Sequence, residues 1–94
     1  MRVLGIDPGV IVTGYGVIEA KRDVCRVLEA GVVRTNIKAS MALRLRELAH
    51  EVEAIIKQFE PEVLAVEELY SHYGHPKTAI IMGHARGIVF LKAA

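Results

Sequence analysis

The feature that most restricts the fold of this chain is a change of hydrophobic period at Ser40. From there to Phe59, the apolar residues Met41, Leu45, Leu48, Val52, Ile55 and Phe59 recur every three or four positions. Arg44, Arg46, Glu47, Glu51, Glu53 and Lys57 fill the other side. That spacing predicts an amphipathic helix over residues 40–59. Ser40 is placed to cap its first turn, and Pro61 ends it because the residue before a proline is pushed out of the α region. On both sides of this segment the pattern is that of strands. Arg2 to Asp7 reads as a short strand broken by Pro8-Gly9, and Val10 to Ala20 as a second, rich in β-branched residues. The polar tip Lys21-Arg22-Asp23 then leads to a third, Val24 to Arg34. Their short connections predict an antiparallel meander. After the helix, Val63-Leu64-Ala65-Val66 is continuously apolar, which predicts a strand buried on both faces. A helical crossover between strands makes a right-handed parallel connection to the first strand the default. The expected class is α/β with a mixed sheet.

Composition narrows the possibilities further. The 94 residues allow one domain at most, and 52% hydrophobic against 24% charged residues is the balance of a packed domain. With 12 Lys and Arg against 11 Asp and Glu, the net charge of +1 excludes a polybasic protein. The average hides an asymmetry, because Leu69 to Ala94 contains no acid but holds Lys77, Arg86 and Lys92 with His72, His75 and His84. Attraction for phosphate is expected to concentrate there. The lone Cys25 cannot form an internal disulfide or a zinc cage, and its strand position predicts a buried thiol. A reducing, cytoplasmic setting follows as the expectation. Asp7 interrupts the apolar start too early for a secretory segment, and no run reaches the roughly 18 apolar residues of a membrane-spanning helix. A second helix is expected from about Pro76 to the last residue, apolar almost all the way round. Such a helix needs covering twice, by the sheet and by a partner or further segment. Gly83 and Gly87, four apart, would let a backbone approach along one of its faces.

The residues able to carry chemistry follow from a repeated pattern. Val3-Leu4-Gly5-Ile6-Asp7 and Val63-Leu64-Ala65-Val66-Glu67 both read apolar, apolar, small, apolar, acid. Each strand therefore delivers one carboxylate at its C-terminal end, the edge where open α/β sheets bind ligands. Two carboxylates held close repel, and a divalent cation is the simplest way to keep both ionised. Hard oxygen donors without matching histidine or cysteine favour Mg²⁺, with Mn²⁺ as a substitute. Such an ion suits hydrolysis of a phosphodiester. The plainer alternatives are that Asp7 only opens the Pro8-Gly9 turn and that Glu67 is a solvated strand end. His72-x-x-His75 lacks a third ligand, so solvated or phosphate-facing histidines are the simpler reading. Tyr73 and Lys77 fit either a DNA-facing loop or an ordinary surface. Arg86 fits either a phosphate contact or a side chain snorkelling from a packed face, and His50 reads as structural.

Leu4-Gly5-Ile6-Asp7-Pro8-Gly9 followed by Thr13-Gly14-Tyr15-Gly16-Val17 closely resembles the opening of the RuvC family of Holliday junction resolvases. Ala65-Val66-Glu67, Tyr70 and Gly83-His84-Ala85-Arg86-Gly87 resemble that family's second acidic strand and following helix, in the same order over most of the chain. The resemblance implies an RNase H-like fold, a homodimer and magnesium-dependent symmetrical nicking of four-way DNA junctions in recombination and repair. It also implies 5′-phosphate and 3′-hydroxyl products and a branch-migration complex as partner. Asp7 and Glu67 match the family's first two metal-binding, catalytic carboxylates. Glu68 is expected to point the other way, by strand alternation. Tyr70 matches an aromatic near the junction centre, where it could stack on a base or merely cap the sheet edge. The family continues into a further strand and a final helix that bring more aspartates to the metal site, and nothing here corresponds to them. The chain is thus expected to be the N-terminal part of such a domain, weak or inactive in cleavage. Two rivals stay open: a catalytically dead junction-binding or dimerising module, and an actin-like or sugar-kinase phosphate-binding lobe, suggested by Gly5-Ile6-Asp7-Pro8-Gly9 before a hairpin.

Overall fold

The computed structural model describes residues 1–68 and 76–94. In chain order the elements are β1 (Arg2–Asp7), β2 (Val12–Lys21), β3 (Val24–Arg34), α1 (Met41–Phe59), β4 (Val63–Val66) and α2 (Pro76–Ala93). They form one mixed sheet in the order β3-β2-β1-β4 with two helices. The meander and the parallel crossover take the places that the periods predict: β1 runs antiparallel to β2 and parallel to β4, with Ile6 opposite both Tyr15 and Val66. A register shift at Val17/Ile18 leaves Leu28 as the extra residue on β3, a bulge that bends and twists the hairpin.

Local chemistry fixes the ends of these elements. The Ser40 hydroxyl accepts from the Leu43 N–H at 3.3 Å, the expected N-cap. At the other end Glu60 takes a left-handed conformation, φ 48°, and donates its N–H to the Ile56 carbonyl at 2.8 Å. Pro61 then prevents another turn. The turn after β1 has an equally specific cause. A Cβ at Gly9 would lie 2.2 Å from the Val12 carbonyl oxygen, so no other residue fits there. The buried Thr13 hydroxyl accepts from the Gly9 N–H and donates to the Gly9 carbonyl, closing the loop on itself. The carbonyl of Val10 accepts from the Thr35 hydroxyl and from Arg44, which ties the turn to the residue after β3 and to α1.

Strand alternation sorts the sheet into two unlike faces. Leu4, Ile6, Val17 and Val33 point into one core cluster with Leu48, Val52 and Ile55 of α1 and Ala85 and Val89 of α2. Both helices therefore cover the same face. Val3, Gly5 and Asp7 of β1 belong to the other face, where Val32 is half exposed.

Three expectations need correcting. β4 is not buried on both faces: Val63 and Ala65 are exposed while Leu64 and Val66 are partly covered. It stands at the edge of the described sheet, and a four-residue apolar run does not distinguish an edge strand from a central one. Cys25 is exposed rather than buried, because β3 is the opposite edge and its first residues run out past the core. His50, read as structural, is exposed on α1. α2 buries Ala85 and Val89 against the core, while Ile80, Phe90 and Leu91 remain 62%, 45% and 67% exposed. One of its two apolar faces is thus covered in the described structure. No described helix is long and apolar enough to cross a membrane.

Candidate active site

The parallel pairing of β1 with β4 determines where the two acids go. The register runs Val3↔Val63 to Ile6↔Val66, and the Glu67 N–H donates to the Ile6 carbonyl at 3.0 Å. One further step puts Asp7 beside Glu67 on strands about 4.8 Å apart. Both residues are exposed, and both border one open depression of about 550 Å³ at the C-terminal ends of the strands. The neighbouring strand contributes Gly14, paired with Asp7, so no side chain stands between the Asp7 carboxylate and solvent on that side.

The floor beside the acids is unusually low. Across all four strands, one row of the same face reads Ala65, Gly5, Gly16 and Ala30 in register. Packing does not demand those glycines, since a Cβ at Gly5 or Gly16 would meet its nearest atom at 3.9 Å, an ordinary contact. Their effect is to keep the sheet surface at backbone height next to the two carboxylates, so that a large ligand can approach the acids closely.

The opposite face supports this arrangement. Tyr15 covers Gly31 and donates from its hydroxyl to Glu29 at 3.0 Å. Burial, and then the hydrogen bond to Glu29, raise the Tyr15 phenol above its usual range, so it stays a neutral donor. The alternation that sends Asp7 outward thus seats its neighbour Ile6 in the core.

Glu68, expected to point the other way, borders the depression shared by Asp7 and Glu67 and also the crevice against Met82 and Arg86 of α2. Arg86, which could have faced phosphate or simply snorkelled, donates from Nε to the Glu67 carbonyl at 3.4 Å and lies 4.8 Å over the Phe90 ring. Tyr70, with His72, Tyr73 and His75, lies outside the described residues. Among the described residues there is no cluster of three or more histidines, cysteines or acids able to hold a metal. What the described site offers a cation is a pair of adjacent hard-oxygen donors, a chemistry that suits Mg²⁺ or Mn²⁺ better than zinc.

A mixed sheet with helices on one face and two acids at the adjacent ends of parallel strands is an RNase H-like fold. Residues 3–94 match the family model described as crossover junction endodeoxyribonuclease RuvC, and the chain belongs to that family. Curated relatives of that name include one from Rhodopirellula baltica, 41% identical over 92 residues, covering 98% of this chain and 52% of the relative. Another, from Caldicellulosiruptor saccharolyticus, is 44% identical over 92 residues and covers 97% and 55%. The chain spans about half the length of these relatives. Among solved structures, T. thermophilus RuvC in complex with Holliday junction substrate superposes with a TM-score of 0.91 at 32% identity, over 99% of this chain and 59% of that one. A more distant likeness to the Aquifex aeolicus PPX-GPPA enzyme, with a TM-score of 0.53 at 18% identity, concerns the fold alone.

Proposed function

We propose that this chain provides the cation-binding edge of a structure-selective endonuclease that acts on four-way DNA junctions in recombination and repair, with Asp7 and Glu67 holding Mg²⁺ or Mn²⁺. The observation that carries the reading is the in-register arrival of the two acids at one open, glycine-floored depression. Its substrate is suggested by the relative that binds Holliday junction DNA.

The chain's own residues have separate tasks in this reading. Asp7 and Glu67 supply the negative oxygens that a shared cation would bridge. A bound divalent ion supplies polarisation of a phosphoryl oxygen and a lowered pKa for water. The low row Ala65-Gly5-Gly16-Ala30 admits the sugar-phosphate backbone to the acids. The outward face of α2, with Ile80 and Leu91 exposed beside Gly83 and Gly87, is the surface through which two copies associate. A junction with two-fold symmetry matches such a homodimer. Tyr70 is the aromatic for stacking at the junction centre, a branch-migration complex is the partner assembly, and the compartment is the cytoplasm. With the two carboxylates alone, strand cleavage by these 94 residues is slow.

A cleavage and gel-shift series on synthetic four-way junctions and linear duplex, with Mg²⁺ or Mn²⁺, tests the reading. The expected result is a junction preference, with cation binding abolished by Asp7→Asn and by Glu67→Gln while the melting temperature stays within a few degrees. Equal affinity for both DNAs, together with cation binding that ignores these substitutions, would overturn it. Fast paired nicking would overturn the slow-cleavage statement only.

A further inference from the structure

The end of β4 is fastened by something other than the sheet. In the β1/β4 ladder the Glu67 N–H donates to the Ile6 carbonyl at 3.0 Å, following the pairing of Ile6 with Val66. Continued parallel alternation calls next for the N–H of position 8 to donate to the Glu67 carbonyl. Position 8 is proline, which has no N–H. The Glu67 carbonyl is therefore left without its ladder donor at the mouth of the site.

Among the described residues, the donor that reaches this carbonyl comes from another element. Arg86 Nε on α2 approaches it at 3.4 Å, a long bond to an oxygen that the ladder cannot satisfy. The guanidinium is itself steadied by the Phe90 ring 4.8 Å away, one helical turn further on. Arg86 also shares a narrow crevice with Asp7, Pro8 and Glu67. Glu67 lies one residue past β4, so with its N–H alone bonded, rotation about its N–Cα bond would swing its carbonyl and its side chain together. A second bond at the carbonyl removes that freedom.

We propose that Arg86 is a positioning residue for the carboxylate pair, donating to the carbonyl that Pro8 leaves open and so fixing the direction in which the Glu67 side chain leaves the strand end. The inference rests on the reading of Asp7 and Glu67 as cation ligands. It assigns Arg86 a role through Glu67 rather than through phosphate.

Mn²⁺ binding by the whole chain, followed by the electron paramagnetic resonance of free Mn²⁺, separates the possibilities. Glu67→Gln tests the underlying reading, because a parent chain without a Glu67-dependent Mn²⁺ site overturns that reading and this inference with it. Given such a site, Arg86→Gln is expected to weaken Mn²⁺ binding roughly tenfold, the lower end of what loss of a ligand's supporting hydrogen bond costs. Arg86→Lys keeps the charge but loses the fixed Nε donor, and should weaken binding similarly. The decisive arm is Pro8→Ala, which returns an N–H to the ladder. In that background Arg86→Gln should cost less than about threefold, a coupling that a double-mutant cycle measures directly. An Arg86→Gln chain that is folded by circular dichroism and binds Mn²⁺ like the parent would overturn the proposal, as would an equal loss in both backgrounds. So would a cation-free junction affinity whose salt slope falls by about one on Arg86→Gln, since that marks a phosphate contact.

Discussion

The two faces of this sheet are built from the same strands and do opposite things. On one, Leu4, Ile6, Val17 and Val33 lie under both helices and are nearly or wholly withdrawn from water. On the other, the alternate residues around the acids are glycine and alanine: Gly5, Gly14, Gly16, Ala30 and Ala65, beside Asp7 and Glu67. The first face carries large side chains, because buried apolar area is what stabilises a small domain. Next to the acids the second is stripped of them, although a strand interior normally favours β-branched residues. The lesson is that stability and ligand access are divided by the two-residue period of the strands, so that truncation on the packed face should cost stability, whereas a change on the open face should cost access without costing stability.

The largest effect is expected from the packed face. Leu4 is fully buried, and Leu4→Ala should cost about 2–5 kcal/mol through lost burial and the cavity left behind. A domain of this size has roughly 5–14 kcal/mol in all. At about 4–8 °C per kcal/mol, the melting temperature should fall by something on the order of 10–30 °C. A thermal melt by circular dichroism compares this with Asp7→Asn, for which a shift of at most a few degrees is expected. An Asp7→Asn chain that melts as low as Leu4→Ala would break the division of labour, because the acid would then be holding the fold.

The next effect is smaller and has two signs. At Gly16 an added side chain meets only ordinary contacts, the nearest atom being 3.9 Å from the Cβ position. Glycine in a strand interior is destabilising by roughly 0.5–1 kcal/mol. Gly16→Val should therefore raise the melting temperature by a few degrees. It should also raise the floor beside Asp7 and weaken junction binding on the order of tenfold, or about 1.4 kcal/mol. Titration of labelled junction DNA against both chains checks the second sign. Unchanged junction affinity in a stabilised Gly16→Val chain would show that the low row plays no part in approach.

How far the molecule could be read from its residues follows the same division. Strands β1 to β3, the helix α1 and the parallel return to β1 are legible because hydrophobic period, the Ser40 cap and the Pro8 and Pro61 breaks all point to one topology. The pairing of Asp7 with Glu67 is legible because the two strands repeat one pattern and a parallel register preserves it. What escapes is whatever depends on which neighbour a strand acquires or on where it stops. Cys25 and Val63 look like core residues until their strands turn out to be sheet edges. The bond from Arg86 to the Glu67 carbonyl is invisible in the sequence, since it arises from a register that sets a proline where a donor is needed. A proline following the first acid, read together with a matched second strand, is the signal that could have revealed it.

The smallest effect sharpens the comparison at the far side of the packed face, where α2 is fastened to α1. Glu53 accepts from Lys57 at 3.1 Å, one turn along α1, and from Lys92 of α2 at 3.4 Å. Hydrogen bonds from Lys57 first, then from Lys92, hold the Glu53 carboxyl below the usual carboxylate range. A folded-state value below the unfolded one means that the unfolded chain takes up its proton first as the pH falls. The associated stability is therefore present above the usual carboxylate range and disappears as pH drops through the lowered folded value. Because the group is exposed, the effect is modest and screened by salt. Lys92→Met should lower the melting temperature slightly at neutral pH and low salt, and the gap from the parent should close in acid and at high salt. Lys57 should still hold Glu53 in that variant, since its contact lies within one helix and needs no docking. A gap that persists unchanged in acid would mean that Lys92 fastens α2 through its aliphatic stem, so that even this contact belongs to the apolar packing of the covered face rather than to its charges.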